Sequence, residues 1–267
     1  MPTLLKAAIL GVVQGLTEFL PVSSTAHLLL AARVIGYDDP GGIFTVMIQL
    51  GSILAVVWLY REKVRSVVIG LPSRPEARRF AAMIVLATIP VLLAGALFSN
   101  FVRGVLYGSV VVMAAAFIVG GIVMLVVERL RPPPDVFDVD SLPIPRAVAI
   151  GSFQALALIP GVSRSGGTIV AAMAMRVDRA AAAEFTFFLA MPAMTAAFAK
   201  SLLDVRHDLG RGRALDIAVG FVMAFIASAL VVKPFLGYVR RSGFAPFAWY
   251  RIVLGVALLA ALAAGWM

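Results

Sequence analysis

Gln14 and Glu18 stand four residues apart in Gln14-Gly-Leu-Thr-Glu18, a spacing that sets both side chains on one face of a helix. Just beyond Pro21 come Ser23, Ser24 and His27. An acid with hydroxyls and an imidazole close in sequence is equipment for moving protons. In such a set a serine hydroxyl can serve as nucleophile with the imidazole as base or acid, or His27 or Glu18 can activate a water. Taken singly these residues have quieter readings: Ser23 and Ser24 suit the capping of a helix that resumes after Pro21, and a lone histidine is commonly a satisfied core residue. Their occurrence together with Glu18 favours catalysis, because an ionisable group at membrane depth is expensive and marks a functional site.

A second patch reads Pro160-Gly-Val-Ser-Arg-Ser-Gly-Gly-Thr168. A buried Arg164 needs a fixed anion, and its planar fork suits phosphate, to which it can donate two bonds at once. Ser163, Ser165 and Thr168 add hydroxyl donors, Gly166 and Gly167 let backbone amides approach a ligand, and a helix starting near Ile169 turns its positive end to the loop. Such a loop fits phosphate. The competing reading is a structural clamp in which Arg164 pairs with Glu18 or Glu184. Glu18, with substrate oxygens and waters, makes a hard-ligand site for Mg²⁺ or Ca²⁺, to which Gln14 adds only a neutral carbonyl.

The elements that must position these patches are membrane helices. Of 267 residues 61% are apolar and 14% charged, with a mean hydropathy of +0.99, more apolar surface than a soluble core of this size can hide. Apolar runs at about 43–60, 81–98, 109–127, 184–203, 215–233 and 247–266 predict six spanning helices. Segments 3–33 and 147–175 are apolar at both ends and polar in the middle, and non-helical backbone at that depth must be buried in protein or line a wet cavity. Two broken or re-entrant hairpins follow. The expected class is an all-α polytopic membrane protein forming one domain over residues 1–267. A net charge of +9 sits in short connections and forms no stripe with interleaved aromatics, which argues against nucleic acid. Zero cysteines exclude disulfides and thiolate chemistry. The polar run from Gln14 to Ser24 interrupts the first apolar stretch where a signal peptide would have to continue.

The two halves, about 1–130 and 145–267, resemble each other. Gly11-Val-Val-Gln14 and Pro21-Val-Ser-Ser lie on Gly151-Ser-Phe-Gln154 and Pro160-Gly-Val-Ser-Arg-Ser after a one-residue gap, and Phe44-Thr45 on Phe185-Thr186. A hairpin followed by three spans has an odd number of crossings, so the second half inserts inverted and the hairpins meet near the midplane. Lys and Arg concentrate in 61–79, 129–146, 176–179 and 233–241, against Lys6, Arg33, Arg103, Lys200, Arg206, Arg211 and Arg213 opposite, which puts both termini on the outer side. Arg251, near the start of the last apolar run, reads as a side chain that snorkels to the cytoplasmic surface. Glu184 reads as an acidic partner for the start of its helix. The small residues of Ala116-Phe-Ile-Val-Gly-Gly121 suit a helix contact or a homodimer face.

Gln14-x-x-x-Glu18 followed by Leu-Pro-Val-Ser-Ser-Thr-Ala-His27, and Pro-Gly-Val-Ser-Arg-Ser-Gly-Gly-Thr168 in the second half, resemble the two signature regions of the bacterial undecaprenyl-diphosphatase family, also called the bacitracin-resistance family. The likeness runs from Ala7 to the last helix. It implies an inverted repeat in the bacterial inner membrane, with a polyprenyl diphosphate lipid as substrate, undecaprenyl phosphate for envelope polymers as product, and an active site facing outward. It carries functional roles onto Gln14, Glu18, Ser24, His27, Ser163, Arg164, Ser165 and Thr168. The family accepts Glu or Gln at the first position; with Gln14 here, a scheme requiring two carboxylates on that helix face is in doubt. The rival class is a transporter or flippase for a lipid phosphate, which needs Arg164 and the helix ends but not a Ser-x-x-His beside an acid.

Overall fold

The computed structural model describes residues 1–39, 42–106, 109–205 and 211–265. Arg206 lies outside them. Among the described residues the regular structure is helical, apart from one isolated parallel bridge between Val136 and Val177. The spanning helices are α3 (Ile43–Leu59), α5 (Pro75–Phe101), α6 (Val110–Leu130), α9 (Arg179–Val205), α10 (Arg211–Ser242) and α11 (Ala245–Ala263), with the short α4 (Arg61–Gly70) following α3. Five of these are long and apolar enough to cross a bilayer alone, and α3 qualifies jointly with α4, from which it is bent by 77°. The break falls at Tyr60, and the Arg61-Glu-Lys-Val-Arg start of α4 is too charged to continue into hydrocarbon. Several helices outrun their apolar stretches, because the helix continues past the hydrocarbon into charged turns.

Neither hairpin is long enough to span. The first pairs α1 (Thr3–Thr17) with α2 (Ser24–Ile35); the second pairs α7 (Ile144–Phe153), prolonged by a 3-10 turn over Gln154–Leu158, with α8 (Arg164–Ala174). Helices of this length fall short of the roughly 20 residues that a crossing needs. Each hairpin leans on a span of the other half: α1 packs on α10, and α7 on α5, while α3 meets α9 and α6 meets α11. Glycines permit the closest crossings. A methyl at Gly15 would lie 2.5 Å from the Ala224 carbonyl oxygen, and Gly151 abuts the Ala87 carbonyl in the same way.

Asp39 fixes the entry to α3, its carboxylate accepting from the amides of Phe44 at 2.8 Å and Thr45 at 3.0 Å. The core is aromatic and aliphatic, with Phe19 of the first hairpin set edge-on against Phe187 of α9 at 5.2 Å. Large apolar side chains such as Leu93, Leu97, Val119, Leu230 and Val253 point outward, as helices solvated by lipid require. The Gly120–Gly121 step is a contact within the chain: Gly121 meets the Ala248 carbonyl of α11, and Gly120 makes room for the Arg251 guanidinium.

At one end of the bundle the connection over residues 131–143 is held as a strap. Asp135 and Val136 donate their amides to the Arg176 carbonyl, Arg146 binds Asp135 at 2.6 Å, Lys63 pairs with Asp140, and Arg79 donates to the carbonyls of Asp140 and Leu142. The Arg146 guanidinium holds the Asp135 carboxyl below the usual carboxylate range. Lys63, Arg79, Arg146 and Arg176 thus share one face of the molecule.

Two expectations are corrected here. Arg251 does not snorkel to a surface; it is 1% exposed and lies in the heart of the bundle. Glu184 is too far into α9 to serve its first turn and instead faces Arg240 at 3.8 Å and the Tyr60 hydroxyl.

Candidate active site

Both hairpins turn on a serine with left-handed backbone. Ser23 precedes α2 at φ 70°, and Ser163 precedes α8 at φ 68°. The interval between these serines equals that between Gln14 and Gln154, so the loops correspond without the one-residue gap expected from the prolines. Non-glycine residues held there cost about 1–3 kcal/mol each and persist where their surroundings over-determine them. Arg251 is the side chain that does so. Its Nη1 donates to the carbonyls of Pro21 and Val162, both at 3.1 Å, and its Nη2 to those of Ala116 and Gly161, both at 3.0 Å. One guanidinium therefore ties both loop tips to α6 and α11.

With the tips locked, the acid and the arginine meet. Glu18 Oε2 accepts from the Ser24 hydroxyl at 2.6 Å and from the Gln14 amide at 2.7 Å, while its Oε1 accepts from Arg164 Nη2 at 2.9 Å. The side chains of Glu18 and Arg164 are 3% and 15% exposed, so the pair is nearly dry. Arg164 also donates to the Thr186 carbonyl at 3.3 Å. Ser165 donates to the Leu20 carbonyl at 2.7 Å, a direct stitch between hairpins, and Ser163 Oγ accepts from the Gly166 amide at 3.1 Å.

These groups line one cavity of about 440 Å³. Glu18, Ser23, Ser24, Thr25, Gln154, Ser163, Arg164 and Ser165 form its polar end. Its apolar wall comes from Val91, Leu92 and Ala96 of α5 and Ala193, Met194 and Ala197 of α9, with Lys200 at the edge. The first-turn residues of α2 and of α8 both border this space, so two positive helix ends converge on it. A nearly dry acid–hydroxyl pair, a guanidinium and two helix N-termini can bind an anion and remove a proton beside it.

Some expected members are placed elsewhere. Thr168 donates its hydroxyl to the Arg164 carbonyl at 2.9 Å, inside α8 and off the cavity. Gly167 spends its amide on the Ser163 carbonyl, Gly166 on the Ser163 hydroxyl, and the space a side chain at Gly166 would need is occupied by Arg251. Gly166 thus admits Arg251 rather than a ligand, and neither glycine amide is free for one. His27 also turns away from the Ser24 hydroxyl. Its Nδ1 donates to the Ser23 carbonyl at 2.8 Å, leaving Nε2 to accept from the Tyr250 hydroxyl at 2.7 Å, and the ring is stacked on Tyr250 with Phe117 against it edge-on. Neither nitrogen is available to Ser24, which has Glu18 instead.

For a divalent cation the protein supplies few ligands. Among the described residues no three His, Cys, Asp or Glu side chains gather into a metal-binding group. Glu18 is engaged at both oxygens, and the amide oxygens of Gln14 and Gln154, each buried without a partner among the described residues, are neutral and weak ligands. That set does not fit a metal held by protein side chains alone.

The bacitracin resistance protein BacA family profile matches residues 7–257. The undecaprenyl-diphosphatase of Cereibacter sphaeroides (strain ATCC 17025) is 48% identical over 263 residues, covering 98% of each chain. Undecaprenyl-diphosphatase 1 of Agrobacterium fabrum and the undecaprenyl-diphosphatase of Paracoccus denitrificans are each 45% identical over 260 residues, covering 97% of both chains.

Proposed function

The chain belongs to the BacA bacitracin resistance family, and we propose on that premise a serine-based mechanism for its diphosphatase reaction. It is a membrane-embedded undecaprenyl-diphosphatase that hydrolyses undecaprenyl diphosphate to undecaprenyl phosphate and orthophosphate, recycling the lipid carrier for peptidoglycan and other envelope polymers. The observation that carries the mechanism is the 2.6 Å bond from the Ser24 hydroxyl to Glu18, with Arg164 on the other carboxylate oxygen.

Ser24 Oγ attacks the terminal phosphorus while its proton passes to Glu18 Oε2. The bond from that phosphorus to the bridging oxygen breaks, and undecaprenyl phosphate leaves. Charge spreads over the equatorial oxygens in such a transfer, so fixed positive groups do most of the stabilising. As Glu18 gains the proton it loses its charge, its hold on Arg164 slackens, and the guanidinium turns to the phosphoryl oxygens beside the helix ends. Water then attacks the phosphoserine, Glu18 returns its proton to Ser24 Oγ, and the proton from water leaves with orthophosphate. His27 braces Ser23 and does not carry the proton. A divalent cation, Mg²⁺ or Ca²⁺, would neutralise phosphate charge when bound; Glu18 and Gln14 Oε1 would hold it together with the substrate's own oxygens.

The apolar wall between α5 and α9 suits the first isoprene units of the lipid. Charge asymmetry supports a bacterial inner-membrane orientation in which the strap is cytoplasmic and the cavity, bounded by the Lys200 end of α9, opens outward. The test is orthophosphate release from undecaprenyl diphosphate by purified protein in detergent. Wild type releases it, and Glu18→Gln, which keeps the shape and removes the base, loses about 10²–10⁴-fold in kcat. Binding of the lipid with no release in the presence of Mg²⁺ or Ca²⁺ would instead describe a carrier.

A further inference from the structure

The polar end of the cavity holds a primary amide that the mechanism above leaves idle. Gln154 opens the 3-10 turn of the second hairpin, lines the cavity, and is 1% exposed. Its Nε2, the end that can donate, makes no hydrogen bond among the described residues, unlike Gln14 Nε2, and its Oε1 is buried without a partner there, as Gln14 Oε1 is too. The corresponding residue of the first hairpin shows what has been lost. Gln14 donates to Glu18, four residues on, at 2.7 Å; four residues after Gln154 stands Leu158, whose side chain can accept nothing. A buried amide without a partner is destabilising, and a fold that retains one at the wall of its binding cavity has a partner arriving from outside.

We propose that Gln154 is a substrate-binding residue whose amide N–H donates to a non-bridging oxygen of the diphosphate. The first half spends its glutamine on orienting the acid, whereas the second half keeps its glutamine for the anion. The two hairpins thereby divide the labour: the proton chemistry rests on Gln14, Glu18 and Ser24, and the grip on phosphate rests on Gln154 and Arg164. A neutral amide suits this place because it adds a donor without a charge that would compete with Arg164 for Glu18. The inference rests on the reading of this cavity as the diphosphate site.

Gln154→Leu, similar in volume and free of polar atoms, removes the bond without leaving an orphan. With undecaprenyl diphosphate its KM rises about tenfold or more, the loss expected for one hydrogen bond to a charged oxygen, while kcat stays within about threefold. The affinity for farnesyl methylenediphosphonate, whose P–C–P bridge resists hydrolysis, falls by the same factor, and the thermal unfolding midpoint does not drop. Gln154→Glu, which sets a negative charge against the anion, weakens binding further. Wild-type affinity for the analogue in both variants overturns the proposal. Should wild-type protein bind the analogue yet release no orthophosphate from the lipid, the diphosphatase mechanism is what fails, and the difference in affinity between wild type and the variants still decides the role of Gln154.

Discussion

Arg164 of the second hairpin grips Glu18 of the first at 2.9 Å, bringing together two charges from opposite halves of the chain in a nearly dry setting. Charges so buried survive only in company, since breaking such a pair by deleting one member costs about 3–5 kcal/mol. Each is therefore the resting partner of the other. In the proposed mechanism Glu18, set against the Ser24 hydroxyl, takes its proton, and Arg164 stays at the cavity wall until phosphate replaces the carboxylate.

Arg164→Lys keeps the charge but loses the planar fork, so it can neither span two phosphoryl oxygens nor hold Glu18 while bonding Thr186. Its kcat/KM for undecaprenyl diphosphate should fall about 10²-fold or more, with the unfolding midpoint moving far less than in Arg164→Ala. Steady-state kinetics and a thermal melt in the same detergent measure both.

Arg251→Leu leaves three carbonyls of the loop tips and one of α6 without their donor. It should destabilise the protein by about 3 kcal/mol or more and abolish turnover, because Ser23 and Ser163 are then free to relax from their left-handed conformations. Arg251→Lys fares little better, since one ammonium cannot reach four acceptors spread over a fork. Unfolding in detergent and phosphate release give the two readings.

His27→Gln tests positioning against proton transfer. The amide can still donate toward the Ser23 carbonyl, so turnover slows while the dependence of kcat on pH keeps its wild-type shape. Disappearance of one limb of that profile would show that the imidazole itself carries a proton.

The strap over residues 131–143 should loosen in acid. Asp135 has its folded-state pKa depressed by Arg146, so its contribution is complete above about pH 4, the usual carboxylate value, and is lost as pH falls through the folded value. Hydrogen exchange at the Asp135 and Val136 amides should accelerate there, and Asp135→Asn should exchange fast at every pH.

Much of this architecture was legible in the amino-acid sequence. Uninterrupted apolar runs announce α5, α6 and α11, and a proline or glycine beside Ser23 and Ser163 announces chain turns at membrane depth. The meeting of Glu18 with Arg164 follows from two inverted hairpins. What could not be read is direction. An arginine at position 251 reads the same whether it snorkels or points inward, because the carbonyls that receive it come from three distant segments. Three residues from Ser24, His27 falls within one turn of it, yet the Ser23 carbonyl and Tyr250 of α11 draw its ring to another face. Gly166 reads as room for a ligand, and the room belongs to Arg251.

The central claim is that the Ser24 hydroxyl, deprotonated by Glu18, makes the new bond to phosphorus. Single-turnover release of orthophosphate from undecaprenyl diphosphate by Ser24→Ala measures it directly. A rate lower than wild type by about 10⁴-fold or more, with substrate affinity retained, is the predicted result; a rate within tenfold of wild type would contradict the account and hand the attack to water.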